Sequence, residues 1–98
     1  MARTSGAFIK DLQYEKFFAI IFRYRDLIYV YCKPLDGNKT TFVPLNIMKS
    51  TDLKKINIFK YPSREKALYE MAKIPMFEIG NNYAEFEVVQ NTHLPELF

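Results

Sequence analysis

Between Lys49 and Lys66 the chain interleaves cations with flat side chains. Lys49, Lys54, Lys55, Lys60, Arg64 and Lys66 alternate with Asn57, Phe59 and Tyr61, against only Asp52 and Glu65. Cations neutralise phosphates, and exposed aromatic rings stack on unpaired bases. Arg23 and Arg25, flanking Tyr24, could extend such a patch. The candidate nucleic-acid contacts are therefore Arg23, Arg25, Lys49, Lys54, Lys55, Lys60, Tyr61 and Arg64. The competing reading is a solvated loop beside core aromatics, and neither an RNP-type pattern nor a helix-turn-helix signature is present.

Two carboxylates, Glu85 and Glu87, sit at the spacing that puts side chains on one face of a strand, about 7 Å apart. A pair so placed could move protons. Such a pair is more often simply the solvated, charged face that protects a sheet edge. The single cysteine, Cys32, lies in the run Leu27-Ile28-Tyr29-Val30-Tyr31-Cys32 and reads as a buried structural thiol. The single histidine, His93, is remote from it in a Pro-containing stretch, so no thiol–imidazole pair is signalled. The three glycines are scattered and form no phosphate loop, and no Cys or His cluster suits zinc. No catalytic, cofactor-binding or metal-binding residue is expected, and the chain reads as a non-enzymatic binding protein.

The leading expectation is a protein partner, which the chain would act on by occupying it. Nine Phe and seven Tyr exceed the evident needs of one small core. Tyr14, Tyr24, Tyr29, Tyr31, Tyr69 and Tyr83 cannot all be buried, and tyrosine is enriched at interface hot spots. The stretch Leu94-Pro95-Glu96-Leu97-Phe98 is apolar and acidic, and Leu94, Leu97 and Phe98 could dock into a groove on a partner or fold back on the chain's own core. The wealth of Lys, Asn, Ile, Phe and Tyr matches the product of an AT-rich genome. Small motif-free chains of this kind are common among bacteriophage and mobile-element proteins, which points to a regulatory or inhibitory role on a host machine.

Ninety-eight residues, 49% of them hydrophobic, bound the architecture to one domain with one core. Residues 1–6 and 91–98 read as flexible or docking tails. The net charge of +3 is mild, but residues 49–66 are basic and residues 67–98 acidic. Such asymmetry favours an interaction surface. No segment is apolar for long enough to span a bilayer, and no export signal is evident, so a reducing cytoplasmic setting and no membrane contact are expected.

These side chains need elements to position them. Phe17–Phe22 is apolar on both alternating faces, the pattern of a central strand covered on both sides. Leu27–Lys33 pairs with it as a hairpin. Thr40–Ile47 forms a third strand whose Pro44 either places it at an edge or ends it, and Ile56–Ile58 a fourth. Ser63 caps a helix running to Ile74, ended by Pro75. Ala67, Leu68, Met71, Ala72 and Ile74 form its inward face. Met76–Ile79 is a further short strand, and Tyr83–Gln90 a one-sided strand with Ala84, Phe86 and Val88 inward. The fold class is α+β, an antiparallel sheet of four to six strands with one amphipathic helix, residues 63–74, packed on one face. One helix cannot cover both faces, so the second must be solvated or be buried by the N-terminal segment, the tail or another subunit. The two-sided Phe17–Phe22 strand argues against solvent, and self-association into a dimer is expected.

Overall fold

The computed structural model describes residues 16–91. Its main sheet has five strands, all antiparallel: β1 (Phe18–Tyr24), β2 (Leu27–Pro34), β3 (Thr41–Pro44), β4 (Ile56–Ile58) and β7 (Phe86–Gln90). The spatial order is β3-β2-β1-β7, with β4 also paired to β2. A separate two-stranded ribbon joins β5 (Glu78–Ile79) to β6 (Asn82–Tyr83). The longest helix, α2 (Arg64–Met71), is preceded by a single helical turn, α1 (Ser50–Leu53). No helix among the described residues is long and apolar enough to cross a membrane.

The central strand is β1, as its two-sided apolar pattern requires. Phe17, Ala19 and Ile21 point to one face; Ile20 and Phe22 point to the other, and all five are buried. The first face carries the main core, with Ile28 and Val30 from β2 and Val43, Ile56, Ile58 and Val89 packed around them. It is closed by Leu45, Met48 and Leu53. Leu45 comes from a 3-10 turn at Leu45–Ile47, Met48 follows that turn, and Leu53 ends α1, all in the connection between β3 and β4. On this face the chain itself supplies cover that was expected from a second subunit. The face that α2 leaves free is thus covered by the chain's own residues 45–53.

Strand β2 has three partners. Val30 pairs with Ile21 on one side and Val43 on the other; Cys32 pairs with Thr41 and with Ile58. A strand residue has only two edges, so β4 follows β1 along the same edge of β2. The chain then turns across to β1, where Phe18 and Tyr61 exchange backbone bonds of 2.8 and 2.9 Å. Residues 56–61 thereby fill the gap that opens where β1 and β2 diverge.

Several boundaries differ from the sequence pattern. Strand β3 begins at Thr41 and gives way after Pro44 to the 3-10 turn, so the proline both ends the strand and lies on one at the edge of the sheet. Helix α2 starts as expected, with the Ser63 hydroxyl accepting from the Lys66 N–H at 3.1 Å. It stops at Met71, and residues 72–74 form a turn. Its contact stripe is narrower than the apolar pattern suggested: Ala67 is buried, Met71 and Ile74 are half-buried, but Leu68 is 44% exposed and Ala72 is exposed. The helix crosses β1 and β7 along one line, and Leu68 lies about 100° around from Ala67. Strand β7 is not one-sided. Phe86 and Val88 face the aromatic side, Val89 joins the main core, and every residue of the strand is half-buried.

Asn91, assigned to a tail by its sequence context, is fully buried instead. Its Oδ1 accepts from the Phe17 N–H at 3.0 Å, and its own N–H donates to the Phe17 carbonyl at 2.9 Å. The chain is thus anchored through residue 91. Residues 1–6, and Leu94, Leu97 and Phe98, lie outside the described residues.

Candidate functional site

The face of the sheet opposite the main core is aromatic. Phe22 is its centre, 1% exposed, with Tyr29 stacked on it at 4.6 Å and Phe42 and Phe77 set edge-on at 4.9 and 5.4 Å. Alternation alone puts Phe22, Tyr29, Tyr31, Phe42 and Phe86 on this face once the register is fixed. Their contacts require more. Phe42 on β3 and Phe86 on β7 stand at opposite edges of the order β3-β2-β1-β7, three strand spacings apart. A flat sheet would hold them about 14 Å apart, yet their rings stack at 5.3 Å. The sheet therefore curls around Phe22.

Helix α2 covers only part of this face, over Ile20 and Val88, with the Arg64 guanidinium donating to the Val88 carbonyl at 3.1 Å and lying over the Phe18 ring. Beside it an open pocket of about 460 Å³ remains. Its floor is Phe22, Tyr29, Tyr31 and Phe42, and its wall is the segment from Ile74 to Ile79. That wall carries Met76, 68% exposed, and Phe77, 36% exposed. The lining includes Tyr29, Tyr31 and Thr40, whose side chains carry hydroxyls and share the face of Phe42, but no carboxylate, amine or imidazole. A second, more polar depression adjoins it through Met76 and Ile79 and is lined by Arg23, Tyr24, Arg25 and Glu85. The turn between them is fixed by Gly80 at φ 63°, where a Cβ would lie 2.8 Å from the Tyr24 hydroxyl.

The nucleic-acid candidates are divided by the fold. Arg23 and Arg25 lie at the β1–β2 turn; Lys60, Tyr61 and Arg64 lie at the other end of β1, beside Phe17 and Phe18. Six residues of strand, about 20 Å, separate the groups. Arg23 is engaged by Glu87 at 3.2 Å, and Arg25, at φ 56°, lies over the Tyr24 ring. Lys49, Lys54 and Lys55 are exposed around α1 and the turn after it. Tyr61 is half-buried at the end of a row in which Tyr31, Phe59 and Tyr61 stack at 4.8 and 6.3 Å. Rings stacked on one another present edges rather than faces to solvent, which disfavours base stacking within the row. Glu85 and Glu87 do not share a strand face: Glu85 precedes β7 and is exposed, while Glu87 is paired with Arg23.

No group of three metal-ligating side chains occurs among the described residues. Burial pushes the Cys32 thiol up to about 11, which suits a structural role rather than a nucleophilic one. Burial, with Tyr31 and Glu70 adding to it, raises Tyr61 to about 12. The Glu70 carboxylate is held below its usual value, chiefly by the hydrogen bond from Lys66.

The two raised values set a pH dependence. In the unfolded chain these groups ionise near 9.0 and 10.0. The folded state retains their protons longer, so their contribution is fully present below pH 9 and is lost as pH rises through 11 and 12. Urea midpoints are expected to be level from pH 7 to about 9 and to fall above it, by at most about 1.4 kcal/mol per pH unit per group. A stability that rises between pH 9 and 11 would contradict this account.

The residues that form the pocket were not singled out by sequence motifs. Tyr29 and Tyr31 stood out only as tyrosines too numerous to bury, and nothing in the order of residues brings Met76 and Phe77 over Phe42. No family model, curated protein or solved structure matches the chain.

Proposed function

We propose that the protein is a non-enzymatic binding domain that seats an apolar side chain of a protein partner in the pocket over Phe22. The observation that carries this reading is the pocket itself: about 460 Å³, open, walled by exposed Met76 and Phe77, and without a charged lining group. Its size falls within the range of about 300–1,000 Å³ typical of ligand sites. An exposed thioether and aromatic edges suit an adaptable apolar contact, since methionine is unbranched and polarizable. The tyrosine hydroxyls can orient a bound backbone while the rings supply contact area.

Random-peptide display against the purified protein tests the reading. Peptides carrying a bulky apolar residue are expected to be enriched, and Met76→Lys, which plants a charge at the pocket mouth on an already exposed position, is expected to weaken them by at least tenfold. Peptides that bind the variant as well as the wild type would remove the pocket from the reading. A parallel titration with labelled single-stranded and duplex RNA and DNA provides the contrast. Micromolar binding that falls steeply with salt would favour the basic residues instead.

A further inference from the structure

We infer, building on the pocket reading, that the partner segment enters as an extended strand added to the outer edge of β3, which no described strand pairs with, and carries acidic residues where it runs past Thr40. The direction of each backbone group follows from the hydrogen bonds. Along an antiparallel strand a residue points its N–H and C=O to the same side, and its neighbours point theirs to the other. The Phe59 N–H donates to the Tyr31 carbonyl at 3.2 Å, so Tyr31 is directed toward β4 and away from β3. Ile28, Val30 and Cys32 are then directed toward β3. Ile28 bears this out independently, its N–H donating at 3.0 Å to Oδ1 of Asn46, just beyond β3.

The register Val30↔Val43 and Cys32↔Thr41 therefore consumes the backbone groups of Thr41 and Val43. Thr40 and Phe42 direct theirs outward, and no strand among the described residues pairs with them. The opposite edge of the sheet differs, because Arg64 from α2 already takes the Val88 carbonyl.

Edge and pocket are contiguous. Thr40, Thr41 and Phe42 line the pocket, and the Phe42 side chain stands on the aromatic face. A residue paired with Phe42 from outside would exchange two backbone bonds with it and place its own side chain on that same face, at the pocket mouth. Main-chain bonds then supply affinity and the pocket supplies selectivity. Beyond Thr40 the strand meets the turn of residues 33–40, where Lys33 and Lys39 are exposed, make no ion pair among the described residues, and outnumber the one acid, Asp36. The complementary segment is extended, apolar opposite Phe42, and acidic at that end.

A second copy of the chain fits this edge less well. Two β3 strands related by a two-fold axis at Phe42 would set each Thr40 against the other copy's Pro44. Pro44 has no N–H, so each Thr40 carbonyl would be left without a bond. A peptide with any other residue at that position completes the ladder.

The test uses fluorescence anisotropy with labelled peptides from the display selection and with the same peptides N-methylated at one position at a time. Methylation at one or two alternating positions is expected to weaken binding at least tenfold, while the positions between tolerate it. Thr40→Pro, which removes an outward N–H at an exposed site, is expected to do the same. Lys33→Glu with Lys39→Glu is expected to weaken acidic peptides several-fold. A methylation scan without effect, with Met76→Lys still disruptive, would overturn strand addition and leave the pocket reading standing. Loss of sensitivity to Met76→Lys as well would remove both. A wild-type dimer by sedimentation that Thr40→Pro converts to monomer would assign the edge to a second copy and overturn the inference. The methylation scan runs on the wild-type chain, so it decides the matter even if Thr40→Pro does not fold.

Discussion

Phe22→Ala is expected to lower the unfolding free energy by about 3–5 kcal/mol, the usual cost of deleting a large buried aromatic side chain. The ring is 1% exposed and contacts Tyr29, Phe42, Phe77 and Phe86. Its removal leaves a hole under the pocket and also deletes the post around which the sheet curls. A domain of this size has roughly 5–15 kcal/mol in all, so the variant should be close to unfolding at 25 °C. Urea denaturation followed by circular dichroism gives the value. Phe22→Leu retains an apolar side chain without the ring contacts, each worth about 0.5–1.5 kcal/mol, and should fall between. Leu35→Ala, at a side chain 59% exposed, should stay within about 0.5 kcal/mol of the wild type. A Phe22→Ala loss no larger than that of Leu35→Ala would show that the aromatic face does not hold the sheet together.

Asn91→Ala is the second large effect, about 1–3 kcal/mol, and its cause is polar. Asn91 is 0% exposed, and its Oδ1 is the acceptor for the buried Phe17 N–H. Alanine keeps the backbone bond from residue 91 to the Phe17 carbonyl but strands that N–H without a partner. Amide hydrogen exchange at Phe17 is expected to quicken markedly more than at Ile21, which sits further along the β1–β7 ladder. Equal protection at the two positions would mean that water or a shifted neighbour replaces the lost acceptor.

Much of the framework was legible because local chemistry decided it. The two-sided apolar run at Phe17–Phe22 announced a central strand, Ser63 announced a helix start, and the two β-branched residues of Ile56-Asn57-Ile58 announced a short strand. What escaped was set by long-range geometry. The 3-10 turn and α1 offered too few residues for a periodic pattern, so the cover they give the main core was invisible, and a second subunit was invoked in their place. Asn91 looked like the start of a tail because a buried amide is recognised only by its distant partner. The aromatic surplus was visible as a surplus. Its use depends on the curl that brings Phe42 to Phe86, a property of the whole sheet rather than of any segment.

The route of the chain through the sheet bears on how the protein is made. Strand β1 meets β2 across the short turn at Arg25–Asp26, so that hairpin can form as soon as it is synthesised. Its other edge waits for β7, and the Phe17–Asn91 contacts that close the ladder join residues 74 apart in sequence. Pairings so distant close slowly, and they place this topology among slower-folding sheets. At about 5–20 residues per second of synthesis, the nascent hairpin presents an unpaired, strongly apolar edge for several seconds. Over that interval, pairing with a neighbouring chain competes with completion of the native ladder.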